Sequence, residues 1–211
     1  ISRRALDQPE TLAQLDLACR DWGVFYLTEH GLSESGSLFA ESQSFFSQSK
    51  AAKNQVRRTE TNAWGYFDEE LTKNVRDWKE IFDFGPHVGL FEPQWPSWQP
   101  GLREVCELHF AQCEALSYEL LAAISSNLGV GGAFLFHAFE PDHGIFFRLN
   151  YYPECPEPEA PASLAVPTNG HLGVNHHTDS GAITLLLTDD VPGLEVYAHG
   201  GWQSVPPRTD A

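Results

Sequence analysis

The residues best equipped for chemistry stand together in His176-His177-Thr178-Asp179-Ser180-Gly181, directly before the aliphatic run Ala182-Ile183-Thr184-Leu185-Leu186-Leu187. Side chains two apart on an extended strand face the same way. His177 and Asp179 are therefore expected to converge, while His176 and Thr178 point to the other side. A neutral imidazole nitrogen and a carboxylate oxygen in one space form half of a facial metal site, the kind that holds iron(II) with positions open for oxygen chemistry. A hydrogen-bonded His and Asp pair at a strand end is the other reading of the same two residues.

The totals narrow the surroundings of that pair. With 211 residues, 42% of them apolar and 12% aromatic, the chain has ample material for a core. Lys and Arg total 13 against 29 Asp and Glu, a formal balance of -16. Such a surface repels phosphate backbones and anionic headgroups, so neither nucleic acid nor a membrane surface is an expected partner. Cys19, Cys106, Cys113 and Cys155 lie far apart with no Cys-x-x-Cys, which argues against a zinc knuckle or a dense disulfide framework. Cys106 and Cys113 share one helical stripe and read as buried thiols. No apolar run approaches the roughly 18 to 20 residues of a membrane helix, and the first residues lack a signal-peptide core. A soluble, cytoplasmic protein is expected. The chain contains no methionine, and its last residues follow closely on a strand pattern, so it reads as a piece cut at both ends.

The elements that must position the pair follow from periodicity. Asp7 and Pro9 start a helix whose apolar positions Leu12, Leu15 and Cys19 run to Trp22-Gly23. Val24 to Leu27 reads as a short strand, and Ser33 with Leu38, Phe39, Phe45 and Phe46 as a second helix. Lys50 to Arg58 reads as a solvated helix end or loop. Ala63 to Phe67 and Lys79 to Gly85 are strand-like, separated by the charged region from Asp68 to Asp77. Pro93 to Pro100 reads as a loop packed by Trp95 and Trp98. The longest helix runs from Leu102 to Leu128, with Gly129 as its C-cap and His109 on its apolar stripe as a core histidine. In Ile145 to Pro153, alternation puts Phe147, Leu149 and Tyr151 on one face and Arg148, Asn150 and Tyr152 on the other, the polar face lining a cavity. A proline-marked excursion returns at Gly173. Val174 to Asp179 and Ile183 to Leu187 are strand candidates, and Leu194 to Tyr197 pairs with Trp202 to Val205 across 198–201. Helices first, then short strands with turn punctuation, point to an antiparallel sandwich or barrel buttressed by helices.

Four stretches in order, Asp21-Trp22-Gly23-Val24-Phe25-Tyr26, Val75-Arg76-Asp77-Trp78-Lys79-Glu80, Arg148-Leu149-Asn150-Tyr151-Tyr152-Pro153 and the His177 to Val205 block, resemble the iron(II)/2-oxoglutarate-dependent oxygenases of the isopenicillin N synthase-like superfamily. The resemblance spans nearly the whole chain. It implies a mainly β chain with flanking helices, a double-stranded β-helix (jelly roll) packed on a long helix. It divides the chain into an N-terminal region of the non-haem dioxygenase type, 1–100, and the long helix with the first part of the jelly roll, 101–211, as one interdependent unit.

The resemblance also implies roles. His177 and Asp179 would be two of three iron ligands, the third being a histidine further along, followed by an arginine and a serine for the distal carboxylate of 2-oxoglutarate; none of these three is in the chain. His199, in the expected hairpin turn, is not the missing ligand. Asn150 and Tyr152 match positions that contact the co-substrate, and Arg148 either assists electrostatically or neutralises an acidic neighbour. Trp64, Tyr66 and Phe84 read as core aromatics that could also wall a substrate pocket. The implied reaction consumes O2 and 2-oxoglutarate at Fe(II), oxidises a small molecule by hydroxylation or desaturation, and releases succinate and CO2. Two other readings stand beside it: an oxidase of the same fold that uses no keto acid, and a non-catalytic jelly-roll binding protein with an incomplete metal site. Substrate identity and oligomeric state do not follow from these residues.

Overall fold

Pro9, with φ already set and no N–H to leave unpaired, stands at the start of α1 (Pro9–Asp21). That helix stops where Gly23 adopts φ +69° and donates its N–H, as Trp22 does, to the Ala18 carbonyl. The computed structural model describes residues 1–33, 35–140, 143–158 and 170–211. In α2 (Ser35–Phe46) the residues Leu38, Phe45 and Phe46 are buried. The single turn α3 (Lys50–Lys53) is capped by the Ser49 hydroxyl, which accepts from the Ala52 N–H at 3.3 Å. Strands β1 (Gly65–Phe67), β2 (Leu71–Thr72), β3 (Val75–Arg76) and β4 (Glu80–Phe84) follow. The long α4 (Pro100–Asn127) ends at Gly129, φ +75°, whose N–H reaches the Ser126 carbonyl while that of Val130 reaches Ser125. Then come β5 (Phe147–Tyr151) and the hairpin β6 (Glu195–Ala198) and β7 (Gly201–Ser204). The described elements are a mixture of helices and antiparallel strands.

Two compact units interleave along the chain. One comprises Glu34–Phe110 and Gly144–Ser180, and its centre is the antiparallel sheet β1-β4-β5. Cross-strand partners lie on the same face of a sheet, so the register Tyr66↔Phe82↔Leu149 and Phe84↔Phe147 builds one aromatic face. Phe45 of α2 sits on it, its ring centroid 5.0 Å from Phe82 and 5.1 Å from Phe46, with the Trp98 indole stacked at 5.9 Å. Trp95 contacts Phe82 and Phe84 at 5.5 and 4.8 Å, and Phe110 of α4 meets Phe84 at 5.6 Å. Each such edge or offset contact adds about 0.5–1.5 kcal/mol beyond area burial. His109 is a core residue as expected, 1% exposed, with Nδ1–H donating to the Val105 carbonyl at 3.0 Å.

The other unit comprises Ile1–Ser33, Ala111–His143 and Gly181–Ala211. Arg3 forks onto Glu119 of α4 at 2.8 and 2.6 Å, and Asn127 donates to the Leu12 carbonyl of α1 at 2.9 Å. His143 donates to Glu114 at 2.9 Å. His199 stands edge-on to the Trp22 indole at 4.6 Å.

Four expectations are corrected. Val24 to Leu27 is not a strand of a sheet: the Tyr26 carbonyl accepts from the Ile1 amino group at 2.9 Å, and Thr28, just after the stretch, makes a parallel bridge with Ser2. The basic stretch Lys50 to Arg58 is not simply solvated, because Lys53 is 5% exposed and paired with Glu80 while Arg57 and Arg58 reach Asp68 and Glu70 at 2.7 and 2.6 Å. The hairpin turn between β6 and β7 is two residues, His199 and Gly200, at φ 53° and 81°, tighter than the four anticipated. Finally, Val174 to Asp179 and Ile183 to Leu187 form no ladder with any described segment. Ile183, Leu185 and Leu187 are half-buried and Thr184, Leu186 and Thr188 exposed, so the alternation of a strand is present. What is missing among the described residues is the hydrogen-bonding partner, which composition does not report. The charged region 68–77 holds the small hairpin β2–β3, turned at Lys73 and Asn74 with φ 52° and 64°. The proline-marked excursion lies partly at 159–169, outside the described residues.

Candidate functional site

On β5 the alternation expected from sequence is present. Phe147 and Leu149 point into the aromatic face, and Arg148 and Asn150 lie on the opposite side, paired with Asp83 and Ile81 of β4. Arg148 donates through Nε and Nη2 to the two oxygens of Asp83 at 2.7 and 2.6 Å and through Nη1 to Glu70 at 3.4 Å. Of the two roles weighed for Arg148, neutralising an acidic neighbour is the one its contacts show. Burial pushes the Asp83 carboxyl up, and the Arg148 fork pulls it partway back. Arg58 donates to Glu70 at 2.6 Å, stands 3.9 Å from Asp83, and lies over the Phe67 ring at 3.6 Å. Asn150 is exposed, and Tyr152 just beyond β5 is half-exposed at 52%. Burial of part of its surface, together with the Asp77 charge, raises the Tyr152 phenol, so it remains a neutral O–H donor. Its ring lies over Gly173, where a Cβ would come within 2.6 Å of it, so only glycine permits that approach without displacing the ring.

Gly173 opens the segment that carries the central pair. The Trp78 N–H donates to the Leu172 carbonyl at 2.9 Å, and both the backbone N–H and the side-chain amide of Asn175 donate to Asp77 Oδ1, at 2.9 and 2.8 Å. Asp77 is 1% exposed, and its Oδ2 accepts from Thr72 Oγ1 at 2.8 Å and lies 3.3 Å from Lys79 Nζ. Burial alone would raise its carboxyl, yet the bonds from Asn175 and Thr72 outweigh burial and hold it below the usual range. Two residues on, His177 Nδ1 lies 2.8 Å from the Asn175 carbonyl. A carbonyl only accepts, so Nδ1 is the donor there, and Nε2 is the ring nitrogen turned toward Asp179. Nε2 lies 3.3 Å from Asp179 Oδ1, and both side chains are about half exposed.

Two cis donors each about 2.1 Å from one cation stand about 3 Å apart, so the spacing of Nε2 and Oδ1 suits a shared metal ion. The donor set is also right in kind, an imidazole whose Nε2 is turned to the carboxylate and a carboxylate reachable from solvent. Among the described residues no group of three or more His, Cys, Asp and Glu converges as a metal cage. His176 is exposed, and His171 packs on Trp78 with ring centroids 4.9 Å apart. Tyr66 and Phe84 are core residues, 1% and 3% exposed, while the Trp64 Nε1–H is spent on the Pro86 carbonyl at 3.2 Å. Sequence periodicity missed the participation of Asp77 and Asn175. Their only signal was the charge of Asp77 within Val75-Arg76-Asp77-Trp78-Lys79-Glu80, one of the stretches that carry the resemblance.

An aromatic antiparallel sheet with a polar opposite face and a His-x-Asp pair reachable from solvent are features that the resemblance to the double-stranded β-helix oxygenases implies. The comparisons with known proteins agree. Residues 2–101 match the family model described as the non-haem dioxygenase in morphine synthesis N-terminal, and residues 145–211 match the 2OG-Fe(II) oxygenase superfamily. Jasmonate-induced oxygenase 2 of Arabidopsis thaliana is 31% identical over all of the chain and 56% of that relative; flavanone 3-dioxygenase 2 of Oryza sativa subsp. japonica is 29% identical over 97% of the chain and 59% of that relative. The crystal structure of JOX2 in complex with 2OG, Fe and JA superposes with TM-score 0.80 at 28% identity, covering all of this chain and 61% of that one. A solved structure from Caulobacter crescentus has TM-score 0.77 at 20% identity, with all of this chain and 70% of that one covered, and shows the fold. The chain belongs to the 2OG-Fe(II) oxygenase superfamily, whose cofactors are iron(II), 2-oxoglutarate and dioxygen. It spans little more than half the length of the curated relatives it matches. No helix among the described residues is long and apolar enough to cross a membrane.

Proposed function

We propose that this chain carries part of the active site of an Fe(II)- and 2-oxoglutarate-dependent oxygenase that oxidises a small molecule, by hydroxylation or desaturation, with release of succinate and CO2. The observation that supports it is the His177 imidazole, its Nδ1 held at the Asn175 carbonyl and its Nε2 turned to Asp179 at 3.3 Å. His177 and Asp179 would hold the iron. Iron(II), when bound, supplies the coupling of 2-oxoglutarate decarboxylation to substrate oxidation by dioxygen.

The chain's own residues bind and orient. Asn150 and Tyr152 are neutral donors for a keto-acid carboxylate, an exposed amide and a phenol kept protonated. Arg148, its charge answered by Asp83 and Glu70, stiffens the strand that carries Asn150. Domains 1–100 and 101–211 working as one interdependent unit remain part of this reading. So does a cytoplasmic location, supported by four unbridged cysteines.

Anaerobic titration with iron(II) and 2-oxoglutarate tests the proposal. A weak visible charge-transfer band that disappears in His177→Ala and Asp179→Ala is expected. A band insensitive to both substitutions, or none at saturating metal, refutes these residues as the iron donors. Succinate release tied to substrate consumption separates this reaction from that of an oxidase using no keto acid.

A further inference from the structure

Asp77 is a buried carboxylate with all of its capacity in use, and its bonds run toward the central pair. One oxygen takes two hydrogen bonds from Asn175, and the other takes one from Thr72 and stands beside Lys79. The two bonds to Oδ1 fix both the backbone and the side chain of Asn175, and with them the direction of the Asn175 carbonyl. That carbonyl receives the His177 Nδ1 proton at 2.8 Å. A neutral imidazole left in water prefers its proton on Nε2, the nitrogen that here faces Asp179. In the neutral ring, the bond from Nδ1 to the Asn175 carbonyl favours the opposite tautomer.

We propose that Asp77 is a positioning residue for His177: by clamping Asn175 it aims the carbonyl that holds the Nδ1 proton and so keeps Nε2 bare for a metal ion. The metal clause rests on the reading of His177 and Asp179 as iron donors; the tautomer clause does not. An asparagine at 77 would have nearly the same shape but must point an NH2 group at one of two donor sets, either the two N–H groups of Asn175 or the Thr72 hydroxyl and the Lys79 ammonium. The hydroxyl can reverse its role and the ammonium cannot, so the clamp loosens whichever way the amide turns.

The test compares the wild-type chain with Asp77→Asn and Asn175→Ala. The tautomer is read from imidazole 15N shifts of metal-free protein, with the His177 signal assigned by its loss in His177→Ala, and affinity is read by titration with Co(II) alone. Circular dichroism confirms the fold. In the wild type, Nδ1–H should dominate. In Asp77→Asn the His177 signals should move toward the Nε2–H form, with Co(II) affinity falling about 10-fold or more, the usual scale for loss of a group that orients a ligand. Asn175→Ala keeps the backbone bonds and loses only the side-chain bonds to Asp77 and the Arg76 carbonyl, so a smaller shift in the same direction is expected. It decides the matter should Asp77→Asn not fold. Unchanged His177 shifts in the folded variants overturn the positioning role. Wild-type Co(II) binding that survives His177→Ala overturns the metal reading instead, while the 15N shifts still decide the clamp.

Discussion

Arg148 and Asp83 stand opposite each other in the antiparallel register of β5 and β4, and a two-bond fork of 2.7 and 2.6 Å joins them over a carboxylate that is 4% exposed. Removing the cation leaves a buried charge with no fork to answer it. Arg148→Met is expected to cost about 3–5 kcal/mol, whereas Asp83→Leu with Arg148→Met together should recover most of that loss. The effect has a pH signature. Burial already holds the Asp83 carboxyl above 3.8, and loss of Arg148 raises it further. The native state then binds more protons than the unfolded one across that window, so stability falls as pH rises through it. Urea midpoints of Arg148→Met should trail the wild type by more at pH 8 than at pH 5; an equal deficit at both would refute the buried-charge account.

Asp68 behaves in the opposite sense. Burial would raise its carboxyl, but hydrogen bonds from Lys50 and Arg57 outweigh burial and hold it below 3.8. With the native value depressed, the stability it contributes is complete above about pH 3.8 and is lost as pH falls through the native value. Asp68→Asn should flatten that part of the acid-unfolding curve relative to wild type, measured by tryptophan fluorescence between pH 2 and 5.

Gly65, the first residue of β1, has φ +121°, and a Cβ there would lie 2.2 Å from the Val56 carbonyl oxygen. Backbone cannot swing aside as a flexible side chain can. Gly65→Ala is expected to lower stability by more than about 2 kcal/mol, read as a shift of the urea midpoint. Gly36→Ala, in α2 with open space around it, should instead be neutral or slightly stabilising.

Tyr152→Phe removes a hydroxyl and leaves the ring over Gly173. On the proposed function, 2-oxoglutarate affinity should fall about tenfold, the worth of one hydrogen bond to a charged group, with the urea midpoint unchanged. Asn150→Ala should behave alike. Isothermal titration with 2-oxoglutarate in the presence of Mn(II) measures both, and wild-type affinity in both variants would remove Asn150 and Tyr152 from the co-substrate site.

Local periodicity made much of the scaffold legible. Pro9 and Gly23 bounded α1, the apolar stripe through His109 and Leu116 predicted α4, and the alternation in β5 correctly separated Phe147 and Leu149 from Arg148 and Asn150. Each is set by a residue's own backbone preference or by neighbours two to four positions away. The same reasoning misjudged Ile183 to Leu187, whose composition is that of a strand but which meets no ladder among the described residues. It also left Lys53 and Arg57 in solvent, although their carboxylate partners Glu80 and Asp68 lie 27 and 11 residues away.

Residue types and their i to i+2 spacing were enough to nominate His177 and Asp179, because convergence on an extended chain is a local property. Which imidazole nitrogen faces Asp179 is not local. That is decided by the Asn175 carbonyl, held in place by Asp77 from 98 residues away. A hydrogen bond over that separation exists only after the chain has folded, so tertiary structure alone converts two adjacent candidates into an oriented pair.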